Sequence, residues 1–238
     1  MAGHSKWAKI KRDKASNDAK RGTVFTKLGN QIAIAARQGT DPSTNTSLAL
    51  AIETARSFNM PQSTIDRAVK RVADKSAEAL EEIVYEAYAH GGVALLIQCA
   101  TNNRKRTYPE IKASLSKYGG SIADVGSVIF NFQHLGEIIV TDLDDDQMLQ
   151  FLELGVEDIS EIDNRTYSLL CPVKDFHRLV EAIKDQNIQI EHAGLTYKPK
   201  TTLEINDSLK LKLNKLLAVL EDLPDSLNIY TNLADGSD

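Results

Sequence analysis

The sequence predicts an α+β protein: an N-terminal three-helix domain followed by two ferredoxin-like α/β domains, the third inserted in the second. Three observations predict it. From residue 16 to residue 73 apolar side chains recur every three or four positions, as on helices that bury one face. From residue 83 onward the period changes to short apolar runs bounded by glycine, which read as strands. Residues 137–197 then read in the order βαββαβ.

The first helix starts near Asn17 or Asp18 and ends at Gly39, with Phe25, Leu28, Ile32 and Ala35 on one face. Gly29 inside it costs about 1 kcal/mol relative to alanine, which points to close packing there or to slight local weakness. After a turn at Asp41-Pro42, a second helix capped by Thr46 or Ser47 aligns Leu48, Ile52 and Ala55 and stops around Phe58-Asn59. A third begins after Pro61 and aligns Ile65, Ala68, Val69 and Val72. Residues 84–89 and the apolar run 93–100 read as a hairpin around Gly91-Gly92, the second strand being buried at the centre of its sheet. A helix follows over 107–118, stopped by Gly119-Gly120, and then a strand over 127–133.

The next unit comprises strand 137–141, helix 145–154 with an acidic first turn, strands 156–162 and 167–171, helix 174–186 and strand 190–197. Helix 207–220, with leucines at 209, 213, 216, 217 and 220 on its buried side, and strand 227–231 cannot form a domain alone. Joined to the elements between 83 and 132, they complete a second βαββαβ set. Domains are therefore expected at 1–80, at 81–135 with 203–238, and at 136–202.

Hydrophobic residues make up 42% and charged residues 26% of the 238, an ordinary globular balance. No apolar run approaches the roughly 20 residues of a membrane span, so a cytoplasmic protein without a membrane partner is expected. Cys99 and Cys171 each lie in an apolar run and form no CxxC pair, which reads as two buried, reduced thiols. Five scattered histidines offer no zinc-type ligand cluster, so no metal is expected.

The charge is segregated. Lys6, Lys9, Lys11, Arg12, Lys14, Lys20, Arg21 and Lys27 oppose only Asp13 and Asp18, a net +6 over the first 27 residues. The whole chain carries −5, so everything after Lys27 carries −11. A basic segment on an acidic body points to a polyanion, and Trp7, the one tryptophan, lies among the cations where it can stack on a base or pack on the helices. Arg104, Lys105 and Arg106, in a loop between a strand and a helix, form a secondary basic patch. For catalysis, His4-Ser5 are sequence neighbours that cannot hold a general base on a nucleophile. His90-Gly91-Gly92 lacks a phosphate-loop continuation, and Asp142, Asp144, Asp145 and Asp146 lack calcium-loop spacing and suit a helix start. No catalytic residue, cofactor or small-molecule substrate is expected.

Gly3-His4-Ser5-Lys6-Trp7, Ile10-Lys11, Asp18-Ala19-Lys20-Arg21-Gly22 and Phe25-Thr26-Lys27-Leu28 closely resemble the opening of the YebC/PmpR family. Further matches are Asn59-Met60-Pro61 with Ile65-Asp66-Arg67-Ala68, Tyr85-Glu86, Gly91-Gly92-Val93-Ala94, Thr101-Asn102-Asn103-Arg104 and Gly126-Ser127-Val128. The resemblance covers essentially the full length. It implies a helical domain followed by two α/β domains, and a nucleic-acid-binding regulator of gene expression. One form is a regulator that binds promoter DNA and acts on transcription. The alternative is a ribosome-associated translation factor, related to a mitochondrial translational activator of cytochrome c oxidase, whose basic domain touches ribosomal or transfer RNA and relieves stalled elongation.

Overall fold

The computed structural model describes residues 18–72 and 80–234, the first four of them through the backbone alone. Helices α1 (Asp18–Ala36), α2 (Thr46–Ser57) and α3 (Gln62–Lys70) bury Leu28, Ile32, Ala36, Leu48, Ile52, Ala55 and Ile65 against one another. The cap of α2 is Asn45, one residue before the expected threonine: its side chain accepts from the Leu48 amide at 3.0 Å. The same carboxamide donates to the carbonyls of Ala35 and Gly39, both at 2.8 Å, a bridge to the end of α1 that a threonine hydroxyl cannot make. Asn59 takes a left-handed φ of 58° and closes the turn into α3. Val72, expected on the buried face, lies beyond the end of α3 and is exposed.

The first sheet contains β1 (Glu81–Tyr88), β2 (Ala94–Thr101), a two-residue β3 (Ser121–Ile122) and β8 (Ser226–Thr231) in the order β3-β1-β2-β8, all neighbours antiparallel. Gly91 and Gly92, at φ 73° and 80°, make the β1–β2 connection that a side chain would strain. Leu95, Ile97 and Cys99 of β2 pack under α4 (Arg104–Lys117) and α7 (Asp207–Asp222), against Ile111, Leu115, Leu213, Leu216 and Leu220. Ala100, from the other face, packs against Ala33 and Ile34 of α1 together with Leu80 and Leu227. A bulge opposite Gln98 and Cys99 gives β8 an extra residue, which places Leu227 with α1 although Ile229 sits under α4 and α7.

Two expectations fail here. The first sheet is not a second βαββαβ set: the expected hairpin is present and leads the unit, so with α4, β3, α7 and β8 the chain order is ββαβαβ. Residues 127–133 are not a strand either. Residues 129–131 form a tight helical turn, and only Phe132 onward pairs, as the start of β4. The cause is Glu86, whose buried carboxylate accepts from the amides of Gly126, Val128 at 2.6 Å and Ile129 at 2.7 Å. Those amides bend around one side chain and are lost to a ladder.

The second sheet holds β4 (Phe132–Thr141), β5 (Asp158–Asp163), β6 (Thr166–Pro172) and β7 (Ile190–Pro199) in the order β5-β6-β4-β7. Helix α5 (Asp145–Glu153) follows β4 and α6 (Phe176–Asp185) follows β6, so the chain order is the βαββαβ read from the sequence. Asp144 caps α5 in a capping box with Gln147, and the acidic run supplies the helix start. Two compact units result, His134–Lys198 and the remainder of the described residues, so α1, α2 and α3 share a unit with the first sheet. Both cysteines are free and buried, and burial pushes Cys99 up to about 12 and Cys171 up to about 11. No described helix is long and apolar enough to cross a membrane.

Burial pushes the Glu86 carboxyl up, but the three amide hydrogen bonds outweigh this and hold it below its ordinary 4.5. A lowered folded pKa gives stability that is complete above the ordinary value and is lost as pH falls through the folded one. Glu86→Gln should therefore lower unfolding free energy at pH 7 by about 1–3 kcal/mol in urea titrations. It should also flatten the acid dependence below pH 4.5.

Candidate nucleic-acid interface

Of the cations singled out in the sequence, Lys6, Lys9, Lys11, Arg12 and Lys14, with Trp7, lie outside the described residues. Lys20 and Arg21 fall in the first turn of α1, described through their backbone. Lys27 is part-buried, and its ammonium donates to the Glu221 carbonyl in the last turn of α7. That is a favourable place for a cation, where carbonyls lack intrahelical partners. Lys27 thus fastens α1 to the first sheet's helical layer.

The secondary patch is differently placed from its expected loop. Asn103 accepts from the Arg106 amide at 3.2 Å and starts α4 at Arg104, so all three cations sit in the helix's first turn. The helix dipole disfavours positive charge there, and carboxylates offset it. Arg104 Nε donates to Glu81 Oε2 at 2.7 Å, and Arg106 pairs with Asp225 Oδ2 at 2.8 Å. The Thr107 hydroxyl donates to the same Asp225 oxygen at 2.6 Å, making Asp225, itself 8% exposed, the hub that joins α4 to the turn before β8. Lys105 is exposed.

A site absent from the sequence reading lies between α1 and α3. A groove of about 590 Å³ has Phe25, Thr26, Gly29 and Asn30 on one wall and Thr64, Arg67, Ala68, Lys70 and Arg71 on the other. Arg67 and Lys70 are exposed on α3, and Arg71 follows its end. Arg71 donates to Asn30 Oδ1 at 3.2 Å, and Asn30 is only 6% exposed. Gly29 is not required by close packing: a Cβ built there meets nothing within 4 Å. No acidic side chain lines the groove among the described residues. In the sequence, the signal available for this site is the spacing of Arg67, Lys70 and Arg71, three and four residues apart on one helix face.

Residues 134–198 contain 14 Asp and Glu against 5 Lys and Arg, a net −9. That excess of negative charge disfavours a polyanion, in contrast to the groove, which Arg67, Lys70 and Arg71 line.

Residues 5–75 match the TACO1/YebC protein N-terminal domain, and residues 80–233 match the TACO1/YebC second and third domain. A relative from Syntrophomonas wolfei, named a probable transcriptional regulatory protein, is 40% identical over 98% of this chain and 96% of its own. One from Persephonella marina, with the same name, is 42% identical over 98% and 95%. The crystal structure of a conserved hypothetical protein from Aquifex aeolicus superposes with a TM-score of 0.84 at 33% identity, covering 94% of each chain.

Arg106→Ala should lower unfolding free energy by about 1–2 kcal/mol, since it leaves the nearly buried Asp225 carboxylate short of a partner while Arg106 itself is half exposed. Lys105→Ala should stay within about 0.5 kcal/mol of the wild type. Denaturant midpoints of the two variants check both.

Proposed function

This chain belongs to the TACO1/YebC family, and from that membership we propose that it is a nucleic-acid-binding regulator of gene expression that acts by binding rather than catalysis. The observation that carries the reading is charge segregation: +6 in the first 27 residues against −9 in residues 134–198. Phosphate neutralisation by Lys6, Lys9, Lys11, Arg12, Lys14, Lys20 and Arg21, with counterion release, supplies the affinity. The relatives are named probable transcriptional regulatory proteins, which favours a role in transcription; promoter DNA is the polyanion that such a role would engage.

A second reading, a ribosome-associated factor contacting ribosomal or transfer RNA, is favoured by the groove. A duplex reader presents a convex helix to the major groove, whereas the cations of α3 border a concavity. Irregular RNA offers unpaired nucleotides that a concavity can take.

Joint replacement of Lys9, Lys11, Arg12 and Lys14 by alanine should weaken binding at low salt and reduce the log–log salt slope by roughly 0.9 per lost duplex phosphate contact. Trp7→Ala should cost about 1–3 kcal/mol of binding if Trp7 stacks on a base. Co-sedimentation with ribosomes, run beside promoter-duplex binding at physiological salt, separates the two readings. Ribosome association without sequence-selective duplex binding decides for translation, and the reverse decides for transcription.

A further inference from the structure

Gly29 sits in the fourth turn of a 19-residue helix, where glycine weakens the helix, yet the fold makes no demand for it. What its missing side chain provides is depth between α1 and α3. The resulting groove has an apolar side at Phe25, a nearly buried carboxamide at Asn30, and three cations along the opposite wall and end. Its volume of about 590 Å³ lies in the range of sites that enclose a small ligand. A double helix is far too wide to enter it. One unpaired nucleotide carries both chemistries the groove offers, a flat apolar base and an anionic phosphate.

Building on the nucleic-acid reading above, we propose that the α1–α3 groove receives a single unstacked nucleotide of a bound single strand. Arg67 and Lys70 face its phosphate. Arg71, oriented by its bond to Asn30 Oδ1, flanks the mouth, and the base lies over Gly29 with the Asn30 carboxamide at its edge. The groove therefore selects unpaired over paired nucleic acid, a preference that charge alone does not give.

The test uses the full chain and a fluorescein-labelled 20-nucleotide single strand, as RNA and as DNA, free or annealed to its complement. Gly29→Leu fills the groove from a position with open space, and Gly29→Ala adds one methyl group and improves the helix. Gly29→Leu and the double variant Arg67→Ala/Lys70→Ala should each weaken single-strand binding about tenfold while leaving duplex binding within about twofold. Gly29→Ala should melt at a higher temperature than the wild type and bind the strand more tightly than Gly29→Leu does. Adenosine monophosphate at millimolar concentration should leave the strand bound; displacement at micromolar concentration would make this a free-nucleotide site and overturn the proposal. Wild-type single-strand affinity in both folded groove variants overturns it too, with the broader reading intact. A wild-type protein that binds none of the four probes overturns that broader reading along with the groove's role.

Discussion

β2 is apolar on both faces and buried on both, which obliges the larger unit to cover it twice. Leu95, Leu96 and Ile97 are fully inaccessible, and each is worth roughly 1.5–3 kcal/mol as an upper bound. Helices α4 and α7 cover one side. The other side receives α1, through Ala33 and Ile34 on Ala100 and Leu227. Arg37 donating to the Leu80 carbonyl at 3.0 Å and Lys27 donating to Glu221 fasten the two ends of that contact. Once α1 is committed to the sheet along that side, α2 and α3 pack on the rest of it, and the strip at Phe25 and Gly29 is left to face α3 across a gap. The groove thus lies on a part of α1 that the sheet leaves uncovered, and Gly29 gives it depth.

The same constraint sorts the cations by role. Lys27, Arg37, Arg104 and Arg106 all make contacts within the unit, to carbonyls or to carboxylates, and hold elements in place. Arg67, Lys70 and Arg71 border a concavity with no acidic lining among the described residues. A net-charge argument treats all seven alike. Their partners separate those that hold the fold from Arg67 and Lys70, which border the concavity, while Arg71 does both, donating to Asn30 Oδ1 at 3.2 Å.

Much of the fold was legible because its signals are local. The apolar run of β2, the aspartates starting α5, the leucine spacing of α7 and the βαββαβ order of 137–197 each announce themselves within a dozen residues. Distant partners were not legible. Glu86 captures amides 40 to 43 residues away and turns an apparent strand into a loop. Asp225 sits 119 residues from Arg106, and Glu221 lies 194 from Lys27. The basic segment was visible from composition. The groove was not, because Gly29 and Arg67 belong to different helices, and only their packing shows that the glycine faces open space.

On the proposed reading, polyanion binding is confined to the basic segment and the α1–α3 groove, and residues 134–198 take no part in it. Amide hydrogen exchange of the full chain, with and without a saturating single-stranded RNA at physiological salt, tests it most directly. Slowed exchange is expected in peptides spanning residues 1–30 and 62–72, with residues 137–198 unchanged. Protection confined to residues 137–198, with the first helix and α3 unaffected, would contradict it.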